Sequence, residues 1–431
     1  PRELNLTQAA ILSGMPQAPS RYSPYGSDKQ AYVARSTAVL RRMREDGYID
    51  KSAEEQSVKE LPTVEFKTQS AALKAPHFVF YVKDQLVDLL GEAVVEEGGY
   101  TVTTTLDTEL QEFAQTAVKD EIDKLEKVHV TNGAAMVMNP QNGEILAMVG
   151  SKDYFAADYD GQVNVAMSLR QPGSAIKPVV YATAFSKGYS PSTMLLDVPT
   201  KFPGTKEGEF YEPKNYDGKF NGPVQLRYAL GSSLNIPAVK LLSLVGLKDM
   251  LSTAYDMGFN TLQPSAANMS RFGLSVALGG GEVRLFDLVH AYSAFANGGE
   301  KVEPVSIMKV VKDGRTLYEA KQAQKQRVLT EDVAFLINNV LSDNNARLMT
   351  FGANSYLNMS GKAIAVKTGT TNDKRDNWTI GWSTKAVVGV WVVNNDNSAM
   401  KEVASGVTGA SPIWRKIILK TWEKYKGDDF T

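Results

Sequence analysis

Strand-forming sequence sits at both ends of residues 130 to 426, and helix-forming sequence fills the middle. Few folds accommodate that order. Ala134-Ala-Met-Val-Met138, the turn Asn139-Pro-Gln-Asn-Gly143 and Glu144-Ile-Leu-Ala-Met-Val149 predict a hairpin. Ile364 to Thr370, Trp378 to Trp382 and Ala386 to Val393 predict consecutive strands, followed by a helix over Pro412 to Lys426. Between these ends lie a helix opened by Ser174 and a largely helical stretch from Ser233 to about Asn297. A second hairpin over residues 302 to 320 turns at Asp313-Gly314. Apolar sheet faces need a covering layer, so this order implies an antiparallel sheet sandwiched by helices, an α+β class assembled from both ends of the domain.

Three short segments occur within that frame: Ser174-Ala-Ile-Lys177, Ser233-Leu-Asn235 and Lys367-Thr-Gly-Thr370. A serine and a lysine at i and i+3 on a helix share one face, which brings an amine within reach of a hydroxyl without any histidine. A second serine can relay a proton, and a Lys-Thr-Gly strand can wall the pocket opposite. Together they form the toolkit of an acyl-serine enzyme whose base is lysine. The single motifs are cheap, since a Ser-x-x-Lys pair arises about once or twice by chance in a chain of this length.

Context separates the signal from its imitations. Ser174 follows Arg170-Gln-Pro-Gly173 and precedes an apolar run, which reads as a turn feeding a helix N-terminus with Pro178 in the first turn. Taken alone, Ser174 reads equally well as an N-cap. Ser306-Ile-Met-Lys309 lies in strand-like sequence, where i and i+3 face opposite ways, and Ser398-Ala-Met-Lys401 follows a turn cluster. Ser342-Asp-Asn344 ends a helical stretch too close to Lys367 to leave a domain between them.

At 431 residues the chain exceeds one hydrophobic core, so two or more domains are expected. Its 47 basic and 48 acidic residues make no electrostatic case for nucleic acid. There is no cysteine, which excludes disulfides, thiol catalysis and zinc-thiolate sites. His77, His129 and His290 are far apart, without metal-ligand spacing, and read as structural. No metal and no cofactor is expected. No apolar run reaches the ~18 residues of a membrane span. The chain starts at Pro1 without Met or signal peptide, which reads as a fragment lacking its N-terminal membrane anchor.

Ahead of residue 130 the expectation is a helix over 6 to 15, a longer amphipathic helix from Asp28 to Glu45, and an exposed polar connector over 51 to 75. A helix from Phe78 to Leu90, a strand over Tyr100 to Thr105 and a charged helix from Asp107 to Lys127 follow. The apolar stripes of the first two helices need cover, and residues 76 to 130 are the expected partner.

At this point the residues resemble a known family. Gln171-Pro-Gly-Ser-Ala-Ile-Lys-Pro178, Ala277-Leu-Gly-Gly-Gly-Glu-Val283, Ala294-Phe-Ala-Asn-Gly-Gly299 and Lys367-Thr-Gly-Thr-Thr-Asn372 with Asp376-Asn-Trp378 are similar to the penicillin-binding transpeptidase domain. Leu4 to Tyr25 resembles the last segment of a peptidoglycan glycosyltransferase domain, and Gly99 to Asp107 the linker that follows it. The whole chain therefore looks like a class A, bifunctional penicillin-binding protein that lacks most of its first domain. That family's glycosyltransferase relies on acidic residues in its N-terminal portion, including a Glu-Asp-x-x-Phe segment, and the N-terminal part of this chain holds none. The resemblance implies a glycosyltransferase remnant at 1 to 50, without polymerising activity, a linker region at 51 to 129 and a transpeptidase domain at 130 to 431.

The implied fold is an antiparallel five-stranded sheet sandwiched by helices, with a small N-terminal α/β linker region. The implied place is the outer face of the bacterial cytoplasmic membrane. The implied donor is the D-Ala-D-Ala end of a peptidoglycan stem peptide, the acceptor is an amine of another stem, and β-lactams are covalent inhibitors. Ser174 would be the nucleophile, Lys177 the base, Ser233 the proton relay and Lys367 the second cation. Asn235 would hold the substrate amide, Thr368 and Thr370 its carboxylate, and Gly369 would let the substrate approach the strand. A D,D-carboxypeptidase, a serine β-lactamase and a non-catalytic β-lactam sensor or scaffold are the alternatives.

Overall fold

A computed structural model describes residues 4–19, 21–25, 30–66, 73–156, 160–204, 208–371, 374–401 and 408–431. Asp28, Asn372 and the end of the expected connector at 67–72 lie outside them. The chain forms two compact units, Pro1–Lys74 and Ala75–Thr431. This division differs from breaks near 50 and 129, because helix-forming sequence on either side of 74 serves a different core.

In the first unit, helices Leu6–Gly14, Ala31–Glu45 and Lys51–Glu60 enclose a small core of Ala10, Ile11, Tyr32, Leu40 and Leu61. Asn5 caps the first helix with a reciprocal Gln8 bond, and Asp50 caps the third through Ala53 N at 2.8 Å. The expected exposed connector is thus a packed element over 51–60. Its Val58, with Leu61, Val64 and Phe66 beyond it, covers the apolar stripes for which residues 76 to 130 were the expected partner. Arg41 and Arg42 face solvent, whereas Arg44 is drawn to Glu54.

The second unit is built on a five-stranded antiparallel sheet. Its spatial order is Ala365–Thr370, Asp376–Trp382, Val387–Val393, Asn132–Met138 and Ile145–Val149. Val390 pairs with Ala135, joining the strands from the two ends of the domain. Period-2 alternation assigns the two faces. Met136, Met138, Trp378, Trp382 and Trp391 meet helices that include Lys177–Ser186, Asn235–Val245 and Leu285–Ala296. Ala135, Val137, Val388 and Val390 meet helices Thr108–Lys124 and Ala410–Tyr425. With both faces covered, the central strands read as unbroken apolar runs rather than as alternation.

The segment expected as a linker belongs to this unit. Phe78, Val82 and Leu86 of helix Pro76–Leu90 enter the main core, and Tyr100–Thr104 pairs with Ile307–Lys312. The string Glu331-Asp-Val-Ala-Phe335 matches Glu-Asp-x-x-Phe, but it opens the helix Glu331–Ser342 here, with both acids exposed.

Candidate active site

The three segments converge on one cleft of about 670 Å³, lined by Ser174, Ser233, Asn235, Thr368 and Thr370, with Tyr211 to Tyr216 as a rim. Ser174 does not open the α-helix. It sits in a 3-10 turn, Gly173–Ile176, and the helix proper begins at Lys177, with Pro178 in its first turn. Side chains at i and i+3 eclipse in a 3-10 turn, which keeps Ser174 and Lys177 on one side, while the bonds of Lys177 Nζ go to residues 233 to 235.

The turn is pressed into place by glycines. Gly173 has φ +55°, and a Cβ there would lie 2.5 Å from Thr370 O. A Cβ on Gly279 would reach Gly173 N at 2.3 Å, which accounts for the first glycine of the Gly279-Gly-Gly281 segment. Gly369 has a different role from the one expected. A Cβ there would meet Pro172 O at 2.2 Å and Ala175 N at 2.9 Å, so it admits the turn carrying Ser174 rather than the substrate. Thr368 and Thr370, on the opposite face by alternation, line the cleft.

Ser233 follows helix Leu226–Gly231 in a left-handed conformation, φ +60°, a strained state for a residue with a Cβ. Its hydroxyl stands between two amines, Lys367 Nζ at 2.9 Å and Lys177 Nζ at 3.4 Å. Asn235 begins the next helix; its Oδ1 accepts from Lys177 Nζ at 2.7 Å and its Nδ2 donates to Lys214 O at 2.7 Å.

The two amines are the electrostatic centre of the site. Lys177 is fully buried, and desolvation, then the cation of Lys367, hold its pKa well below the usual lysine value, opposed by Asp197. Lys177 Nζ also donates to Ser233 O at 2.7 Å and Leu234 O at 3.1 Å, oxygens that favour the ammonium. A neutral amine has only two N–H groups, so losing the proton means giving up an oxygen contact. Lys367 is pulled down to about 7, first by burial and then by Arg347.

The imitating motifs lie elsewhere. Lys309 stands on a strand opposite Thr103, Ser398 bonds to Asp396 and His129 at the surface, and Asp343 pairs with Arg227. None of the histidines lines the cleft; His77 is buried against Gly161 O and pushed down to about 4 by desolvation. Among the described residues no three His, Cys, Asp or Glu side chains group as a metal site, and no helix is long and apolar enough to cross a membrane. Asp197, Asn215 and Arg347, which support the site from behind, carried no signal in the sequence.

The family description "Penicillin binding protein transpeptidase domain" matches residues 133–419. The chain belongs to this penicillin-binding transpeptidase family. It is 32% identical over 425 residues to penicillin-binding protein 2D of Bacillus subtilis, covering 95% of this chain and 58% of that protein. It is 32% identical over 427 residues to penicillin-binding protein 1B of Vibrio cholerae, covering 97% of this chain and 52% of that protein. The chain thus spans little more than half the length of these penicillin-binding proteins. The fold matches the crystal structure of penicillin-binding protein 1A from Haemophilus influenzae with TM-score 0.76 at 23% identity, over 100% of this chain and 82% of that one. It also matches a Mycobacterium tuberculosis protein solved in complex with penicillin V, with TM-score 0.70 at 21% identity, over 83% of this chain and 96% of that one.

Proposed function

We propose that this chain is a D,D-transpeptidase that cross-links peptidoglycan stem peptides through an acyl-serine intermediate. The observation that carries the reading is the buried pair Lys177 and Lys367 sharing the Ser233 hydroxyl beside Ser174. Ser174 Oγ attacks the penultimate carbonyl of D-Ala-D-Ala, and Lys177, once neutral, takes the hydroxyl proton. Backbone N–H groups of Ser174 and Thr370 stabilise the oxyanion. Ser233 passes the proton to the departing D-Ala amine. Lys367, with the Thr368 and Thr370 hydroxyls, meets the substrate carboxylate, and Asn235 holds the substrate amide. An amine from a second stem then accepts the acyl group.

A β-lactam presents the same acyl chemistry, so it acts as a covalent inhibitor at Ser174. A carboxypeptidase would use the same residues with water as acceptor. A β-lactamase needs an acid that activates water; Glu212, the one acid among the described cleft-lining residues, is exposed at the rim. Residues 1 to 50 are then the end of a glycosyltransferase domain, and the parent protein is anchored at the outer face of the cytoplasmic membrane. Intact-protein mass after incubation with penicillin tests the core claim. One adduct, mapped to Ser174 and lost in Ser174→Ala, is expected; an adduct on Ser306, Ser398 or Ser233 would overturn it.

A further inference from the structure

We propose that Asp197 is a positioning residue for acyl transfer, holding Asn215 beneath the start of the Asn235 helix, whose first side chain holds the Lys177 amine. The inference deepens the lysine-base reading above and rests on it. Asp197 ends the strand Met194–Asp197, which pairs with Gly222–Gln225, and it is completely buried. Its carboxylate accepts from Asn215 Nδ2 at 2.9 Å on each oxygen, from Asn221 N at 3.0 Å and from Asn221 Nδ2 at 2.6 Å. All of these donors are neutral. A buried carboxylate without a direct cation partner is costly, and such groups persist where their charge or their bonds serve the structure around them.

The bonds lead to the cleft. Asn215 Oδ1 accepts from Asn235 N at 2.7 Å, while the neighbouring Lys214 O accepts from Asn235 Nδ2 at 2.7 Å. Asn235 is therefore gripped at backbone and side chain by residues 214 and 215, and its Oδ1 holds Lys177 Nζ. Asn215 itself is fixed by Asp197 and by Lys219 O at 2.8 Å. The path from Asp197 to the proposed base passes through Asn215 and Asn235.

The charge acts in parallel. The charged groups facing Lys177 are Lys367 on the Lys-Thr-Gly strand, which lowers its basicity, and Asp197, which raises it. Lys367 in turn faces Arg347. Asp197 is faced by Tyr181 and Lys177 from one helix and by Lys240 from another, whose Nζ donates to Leu196 O at 2.6 Å instead. The Asp197 carboxylate thus opposes the loss of the Lys177 proton that burial and Lys367 favour.

The two roles separate by substitution. Acylation of the full chain by a fluorescent penicillin is followed from about pH 5 to 9, with thermal unfolding measured in parallel. Asp197→Asn should shift the acidic limb of the profile down by about one pH unit, the scale of losing a nearby opposite charge. Asn215→Ala keeps that charge, so it should lose roughly 10²-fold in plateau rate, the cost of a ~1 Å misplacement, with the limb unmoved. Asp197→Glu should restore the wild-type limb. An Asp197→Asn limb that coincides with wild type, or wild-type acylation by Asn215→Ala, overturns the proposal. A wild-type chain that forms no Ser174 adduct overturns the transpeptidase reading and this inference with it.

Discussion

Lys177 carries contradictory demands, and the resolution lies in which forces act on one amine. Burial and Lys367 favour its neutral form, while three oxygens and Asp197 favour the ammonium. Arginine in its place stays charged at neutral pH, so Lys177→Arg should lower acylation by at least the ~10²-fold of a lost general base. A rate within a few-fold of wild type, by fluorescent-penicillin labelling, would place the base elsewhere. Lys367 makes a separate prediction about stability. Its pKa falls from 10.5 to about 7 in the fold, so the unfolded chain binds more protons between those values and stability rises with pH across that window. Below about pH 7 the folded state bears the full cost of the buried charge. Lys367→Met should therefore unfold at a higher temperature than wild type, most clearly below pH 7, with the gain shrinking toward pH 10. Acylation should be lost at the same time.

At the scale of elements, the site depends on how closely a 3-10 turn can approach a strand. Gly369 and Gly173 let the Ser174 turn lie against the end of strand Ala365–Thr370, and Trp378 Nε1 secures the same turn by donating to Gln171 O at 3.0 Å. The turn is further held by the Tyr292 hydroxyl, which donates to Ala175 O. Gly369→Ala puts a methyl into the space of Pro172 O, and a backbone oxygen cannot swing aside as a flexible side chain would. The expected loss is about 1–3 kcal/mol of stability, as for other overpacking changes. Acylation should fall further than stability, because the displaced part is the nucleophile's own turn. Melting temperature and acylation rate measured on the same sample check both.

At the scale of the whole molecule, each compact unit has its own core. Leu40 is completely buried in the first, so Leu40→Asp should open residues 6–66 to limited proteolysis while penicillin labelling of Ser174 persists. Loss of labelling in that variant would tie the two cores together. The second unit sets the fate of the acyl group. Among the described residues the cleft wall carries hydroxyls, amides and amines beside Leu278 and Phe351, and its one acid, Glu212, is exposed at the rim. An acid exposed at the rim is poorly placed to activate water, so the β-lactam acyl-enzyme should be long-lived. Regeneration of free enzyme within seconds of removing excess penicillin, followed by mass, would favour a β-lactamase instead.

The central strands, the helices around them and the order of the three segments were all legible in the sequence, because each rests on local pattern. Apolar runs of β-branched residues, a Pro-Gly lead-in and a unique Lys-Thr-Gly triplet are short-range signals. Three matters were decided only in the tertiary structure. Residues 51–60 look polar, yet Val58 and the following Leu61, Val64 and Phe66 suffice to close a core that already had two apolar stripes waiting. Gly369 belongs to an approach between segments almost 200 residues apart, which no local window contains. Asp197 and Asn215 have ordinary neighbours in sequence, and their meaning arises from burial behind Asn235. Local pattern determines which elements form, but the cost of a buried charge or a misplaced methyl depends on what the fold brings against it.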